Sequence, residues 1–186
     1  MPLTQLDSTT ALVVIDLQKG IVAGPTVPHS AAEVIERTGR IARAFRQSGL
    51  PVVLVNVSGG APGRTDTRLG NFSLPPDWTE IVPELKDLAD HIVTKQRPGA
   101  FHGTALDEYL RQHHITQIVL TGIATTIGVE ATARSAFDLG YHVTLVADAI
   151  SDRVADHHRH SVEHVFPRLG EVTNTDELLK FLEMKR

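Results

Sequence analysis

The 186-residue sequence predicts a three-layer α/β fold, a mostly parallel sheet covered by helices on both faces. Three observations carry this. Short apolar runs recur along the chain. The first of them, residues 11–15 (ALVVI), shows no polar alternation, as in strands buried on both faces. Stretches of helical periodicity separate the runs, and strands that alternate with helices join through right-handed crossovers into a parallel sheet.

The elements follow in order. Residues 11–15 form the first strand, which stops at the polar Asp16. Ser30 with Glu33 is a capping-box pattern that opens a helix, with Val34, Thr38, Ile41 and Phe45 on one face and Gly49 as its stop. Residues 51–57 (PVVLVNV) give the second strand, and Ile92 and Val93 a weak third. Thr104 with Asp107 can cap a helix carrying Leu106, Tyr109 and Leu110. Residues 117–122 (QIVLTG) and 142–147 (HVTLVA) are further strands, and 171–173 is a short sixth. Helices are expected over 127–139, closed by Gly140, over 156–166, stopped by Pro167, and over 176–184. Residues 58–83 are rich in Gly and Pro and read as a functional loop or lid, or as a floppy insertion. No repeat or low-complexity tract interrupts the pattern, and residues 1–186 read as one domain.

Composition narrows the function. A formal charge of −4 and a pI near 6.2 argue against broad attraction to nucleic acid or to an anionic membrane. Cysteine is absent, which removes disulfides, thiolate zinc sites, iron–sulfur clusters and a cysteine nucleophile. It fits a reducing compartment, and a cytoplasmic location is expected. The first apolar run ends at Asp16 and lacks a basic start, so it reads as neither a signal peptide nor a membrane span.

Ligands of open α/β sheets bind beyond the carboxyl ends of the strands. Asp16, Asn56, Ser58, Lys95 and the segment 122–128 all end predicted strands. A carboxylate directly after an apolar run, such as Asp16, must be paired, hydrogen-bonded or protonated, or else caps the next turn. Lys95 by itself reads as a solvated lysine. Segment 121–128 passes from a strand through small residues into a helix, where free N–H groups can bind an anion or a developing oxyanion. Its glycines spell neither G-x-G-x-x-G nor a Walker loop, so no nucleotide cofactor is expected.

Three blocks then make a resemblance explicit: VVIDLQ (13–18), KQRPGAFHGTALDEYLR (95–111), and TGIATTIGVEATARSAFDLGY (121–141) followed by VADA (146–149). Together they resemble the isochorismatase-like hydrolase superfamily, in its order and spacing, over essentially the whole chain. The resemblance implies a doubly wound, Rossmann-like sheet of about six parallel strands. It also implies a cis peptide between Ile123 and Ala124, and a homo-oligomer, either dimer or tetramer. In amidohydrolase members an Asp, a Lys and a Cys do the work. Asp16 and Lys95 match the first two, and Gly128 stands where the thiol would be. Isochorismatases proper are similar in having Gly there. They hydrolyse a vinyl ether with the first-block Asp as general acid and no covalent intermediate. They also carry an aromatic residue at the position of Ala124 and Tyr-Ser where this chain has Pro98-Gly99, so the sequence is more similar to Gly-containing members with T-x-I-G-V-E.

The resulting expectation is a hydrolase of a small molecule with Asp16 as general acid or base. Lys95 would hold its charge, and the N–H groups of Ala124 and Gly128 would bind a substrate oxygen. Phe101 and Trp78 are candidates for the pocket wall, or for plain packing. The alternative is a catalytically silent member that binds a small molecule or serves as a structural oligomeric protein. No metal is expected. Asn56 and Ser58 stand where nicotinamidases place an Asp-x-His site, and the histidines 157, 158, 160 and 164 read as a solvated helix surface with His164 packed. Glu130 with Arg134 reads as a helix-face pair, and Asp148 as a cap at a strand end.

Overall fold

The computed structural model describes residues 3–66 and 74–184. Its elements run β1 (Thr10–Ile15), α1 (Lys19–Val22), α2 (Ala31–Gln47), β2 (Val52–Val57), α3 (Pro83–Lys86), β3 (His91–Lys95), α4 (Leu106–Gln112) and β4 (Gln117–Ile123). A π-type turn at Thr125–Val129 leads into α5 (Glu130–Asp138). Then come β5 (His142–Ser151), α6 (Ala155–His160), β6 (Glu171–Thr173) and α7 (Thr175–Met184). The strands form one sheet in the order β3-β2-β1-β4-β5-β6, each neighbouring pair parallel. The chain winds outward from β1 on one side, then from β4 on the other. The order reverses between β1 and β4, which opens a crevice at their carboxyl ends.

The unbroken apolar run of β1 follows from its central place. Ala11, Val13 and Ile15 join the core under α4 and α5, while Leu12 and Val14 join the opposite core with Ile41 and Phe45 of α2 and Leu178 of α7. Both faces are buried, so neither can alternate with polar residues. Helix α2 starts at the capping box read from the sequence. Ser30 Oγ accepts from the Glu33 amide at 3.2 Å, and Glu33 Oε2 accepts from the Ser30 amide at 2.8 Å.

Gly122 explains how β4 passes the end of β1. Its φ is +121°, and a Cβ there would lie 2.0 Å from the carbonyl oxygen of Ile15. Only glycine tolerates both, and the register with β5 shifts at this point.

Several elements differ from expectation. Strand β5 runs on to Ser151 because Asp148, which reads as a stop, has its carboxylate satisfied. Its Oδ1 accepts from the amide and hydroxyl of Thr175 at 2.8 and 3.0 Å and so caps α7. The helix expected over 127–139 begins as the π-type turn. The helix expected over 156–166 leaves the α form after His160, passing through a π-type turn at Ser161–Val165 into a 3₁₀ turn at Phe166–Arg168. Single-turn α1 and α3 are too short to show periodicity. Thr104 Oγ1 accepts from the Leu106 amide at 3.2 Å, whereas Asp107 pairs with Arg111 and Tyr141 instead of closing a box. Of the stretch 58–83, residues 67–73 lie outside the described residues. Among the described residues no helix is long and apolar enough to cross a membrane.

Candidate active site

Asp16 is the residue at which β1 ends. It takes φ +54°, a left-handed conformation uncommon for a residue with a side chain but most accessible to Asp and Asn. Its amide donates to the Val55 carbonyl at 2.9 Å, which ties the turn to β2. Lys95, the last residue of β3, reaches across β2, and its Nζ lies 2.7 Å from Asp16 Oδ2. The two side chains are 2% and 7% exposed, so this is a buried ion pair. Asp16 Oδ1 is buried without a hydrogen-bond partner among the described residues.

Burial raises the Asp16 carboxyl from 3.8 to about 6, against the opposing charge and hydrogen bond of Lys95. Desolvation disfavours the ionised form and the ammonium favours it, and here desolvation prevails. The carboxyl can therefore give or take a proton near neutrality.

Gly128 sits directly against this pair. A Cβ on it would lie 3.1 Å from Asp16 Oδ2, 3.6 Å from Lys95 Nζ and 2.7 Å from Ile15 Cγ2. The turn that carries it follows a cis peptide between Ile123 and Ala124. The turn is held from outside. Asp152, itself buried, accepts from the Thr126 amide and hydroxyl through one oxygen, both at 2.8 Å. His158 Nδ1 lies 2.8 Å from Thr125 Oγ1. Burial, aided by the nearby His29, holds His158 below the ordinary histidine range, so the ring is neutral at pH 7.

Asp16, Lys95, Ala124 and Gly128 thus line one cavity of ≈ 1040 Å³ at the switch point of the sheet. Phe101 and Trp78 do not line it, which corrects the sequence expectation. Phe101 belongs to the core, with its ring 5.8 Å from that of Tyr141. Trp78 packs on α1, where a Cβ on Gly20 would meet the indole at 2.0 Å. Gln18 fastens that region by donating to the carbonyls of Val57 and Trp78, both at 3.0 Å.

The histidine cluster also differs. His158 is the packed member, whereas His164 is 66% exposed, with its ring 5.4 Å from that of His160 and tilted against it. Glu130 and Arg134 do pair, at 2.9 Å. Asn56 donates to the Thr79 carbonyl at 2.8 Å, and Ser58 is exposed. Among the described residues no group of three or more His, Asp or Glu is placed to hold a metal.

The sequence reading missed Asp152 and three arginines of the cavity, Arg64, Arg97 and Arg153. Asp152 had a signal: it follows directly on β5, as Asp16 follows β1. The early stop read at Asp148 hid it.

A carboxyl and an ammonium converge at the switch point of a doubly wound sheet, the place where open α/β folds bind their ligands. The Isochorismatase domain matches residues 10–177, and the chain belongs to that family. The isochorismatase family protein YecD of Escherichia coli O157:H7 is 41% identical over 94% of this chain and 96% of its own. A solved structure of an isochorismatase family protein from Burkholderia thailandensis superposes with a TM-score of 0.92 at 42% identity, over 98% of each chain. Streptothricin hydrolase of Streptomyces noursei is 35% identical over 75% of this chain and 48% of its own.

Proposed function

We propose that this protein hydrolyses a small metabolite without a cysteine nucleophile, with Asp16 as the group that exchanges a proton. The observation that carries the reading is a buried carboxyl poised at about 6, lining the cavity beside Lys95 and Gly128. The chain has no cysteine, so a thioester route is closed to it. Water supplies the oxygen. Acting as acid, Asp16 protonates the departing oxygen or nitrogen as water adds. Acting as base, it takes the proton of the attacking water. Lys95 steadies the carboxylate in either case, and the N–H groups of Ala124 and Gly128 receive the charge that develops on the substrate oxygen. A relative named as a hydrolase is in keeping with this reaction class.

The test is a broad hydrolysis screen of small amides, esters and enol ethers with the wild type and Asp16→Asn side by side. Turnover by the wild type alone supports the reading. A wild type that turns over nothing, yet binds a ligand between Lys95 and Gly128, supports a binding protein instead.

A further inference from the structure

We propose that His158 is a positioning residue: through Thr125 it holds the turn that presents the N–H groups of Ala124 and Gly128, and taking up a proton loosens that hold. This rests on the turn serving the reaction proposed above and adds how its geometry is regulated.

The turn at Thr125–Val129 is anchored at two consecutive residues by the segment that follows β5. Asp152 accepts from the amide and hydroxyl of Thr126. His158 of α6 holds Thr125 through Nδ1 and Oγ1, 2.8 Å apart. Thr125 is fully buried and His158 is 6% exposed, so water does not replace this bond while the turn stays closed. Thr125 does not line the cavity, so its hydroxyl positions the turn and does not attack substrate.

A second ring is pressed against this bond. The rings of His29 and His158 meet edge to face with centroids 6.1 Å apart. His29 cannot swing away freely. Its carbonyl accepts from Ser151 Oγ at 2.6 Å, and Val27 and Asp152 exchange amide bonds at 2.8 and 2.9 Å. A charge on one ring therefore opposes a charge on the other.

The surrounding groups do not supply a free counter-ion. Asp152 faces His158, but Thr126 takes one of its oxygens and the Arg153 amide the other. Glu33, Arg37 and Asp148 face His29, with the two acids opposed by the arginine. Glu130 of α5 is held by Arg134 and Ser161. On α6 itself, Asp156, His157, Arg159 and His160 are exposed. Burial is the largest influence on both rings and holds each below the ordinary histidine range. A His158 ring released to water regains its ordinary value of 6.5, so the open turn binds the proton more tightly than the closed one. The hold is complete above pH 6.5 and weakens as pH falls below it.

The experiment is hydrogen exchange of the full chain between pH 7.5 and 5. Protection is taken relative to the intrinsic rate at each pH, with residues 118–120 of β4 as the internal reference. Protection of the Thr126, Ile127 and Val129 amides should fall about 3- to 10-fold more than that of the reference, the weight of one hydrogen bond. His158→Asn places a non-titrating amide near the position of Nδ1 and should remove the pH dependence. His158→Leu should lose protection of the turn at every pH. On a substrate that the wild type hydrolyses, the ratio of wild-type to His158→Asn kcat should fall toward acid with KM little changed. That ratio cancels the titration of Asp16, which both proteins share. Turn protection that tracks the β4 reference throughout overturns the proposal, and the wild type alone shows this should a variant fail to fold. The same acid loosening in a folded His158→Asn also overturns it. Acid loosening that His158→Asn removes, in a protein that hydrolyses nothing, sinks the hydrolase reading and leaves this hold standing. Turnover by a protein whose turn protection ignores pH does the reverse.

Discussion

The buried pair of Asp16 and Lys95 makes folding stability depend on pH in a defined direction. Folding raises the Asp16 carboxyl from 3.8 to about 6, chiefly through burial. A folded pKa above the unfolded one means that the native state holds the proton more tightly. The contribution is complete below pH about 4 and is lost as pH rises through about 6. At about 1.4 kcal/mol per pKa unit the loss is about 3 kcal/mol. Glu33 and Asp77, held low by hydrogen bonds from Ser30 and Lys19, push stability the opposite way. A reference is therefore needed. Asp16→Asn alone would strand the Lys95 ammonium, which is 2% exposed, in the interior. The double variant Asp16→Asn/Lys95→Met removes both charges and keeps the shape. Urea unfolding of both proteins, followed by the fluorescence of the single Trp78, isolates the pair. Between pH 4 and 7.5 the wild type should lose about 2.4 kcal/mol relative to the double variant, a relative midpoint shift of about 1–2.5 M urea. A difference that stays constant, or that grows in favour of the wild type as pH rises, refutes the reasoning. It would mean that Asp16 behaves as an ordinary salt-bridged carboxylate.

Three other outcomes follow from the same geometry. Gly128→Cys places its Cβ 2.7 Å from Ile15 Cγ2 and 3.1 Å from Asp16 Oδ2. It should cost about 1–3 kcal/mol in urea unfolding and lower turnover, because Ile15 is stiff and fully buried. Asp152→Ala leaves the Thr126 amide without its partner and should destabilise by about 1–3 kcal/mol. Hydrogen exchange at residues 125–128 should rise at the same time, and unchanged protection there would count against Asp152 as the clamp of that turn. Hydrolysis should be indifferent to thiol alkylation, since the chain has no cysteine, and to EDTA, since among the described residues no group of three or more His, Asp or Glu is placed to hold a metal. Loss of activity in EDTA with recovery in zinc would contradict the second part.

Which parts were legible in the sequence depends on how local their signal is. Residues 11–15 read as a central strand because burial on both faces leaves its mark on every position of β1. The helix after Ser30 read correctly because its cap and its apolar stripe lie within four turns of each other. Asp16 stood out as an acid ending an apolar run. Lys95 and Gly128 had no such mark and entered through the three blocks of family resemblance. Asp148 misled because its partner, Thr175, is 27 residues away, so an acid that caps another helix looked like a strand end. His158 was passed over for His164 because the helix was read as continuous, whereas the π-type turn after His160 changes which side is packed. Phe101 and Trp78 are aromatic residues near the site in sequence, but only tertiary contacts decide whether such a ring faces a cavity or a core. Arg97 and Arg153 look like any solvated loop charges until the fold brings them to one wall.

The proton chemistry of Asp16 is tested most directly by the rate of Asp16→Asn on a substrate that the wild type hydrolyses, measured with ligand affinity on the same samples. The substitution keeps the shape of the side chain and removes its exchangeable proton near neutrality. Turnover should fall about 10²- to 10⁴-fold while affinity is largely retained. Across pH 5–8 the wild-type rate should follow an apparent pKa near 6, falling with pH if Asp16 is the acid and rising if it is the base. An Asp16→Asn variant that hydrolyses the substrate at the wild-type rate would contradict the account.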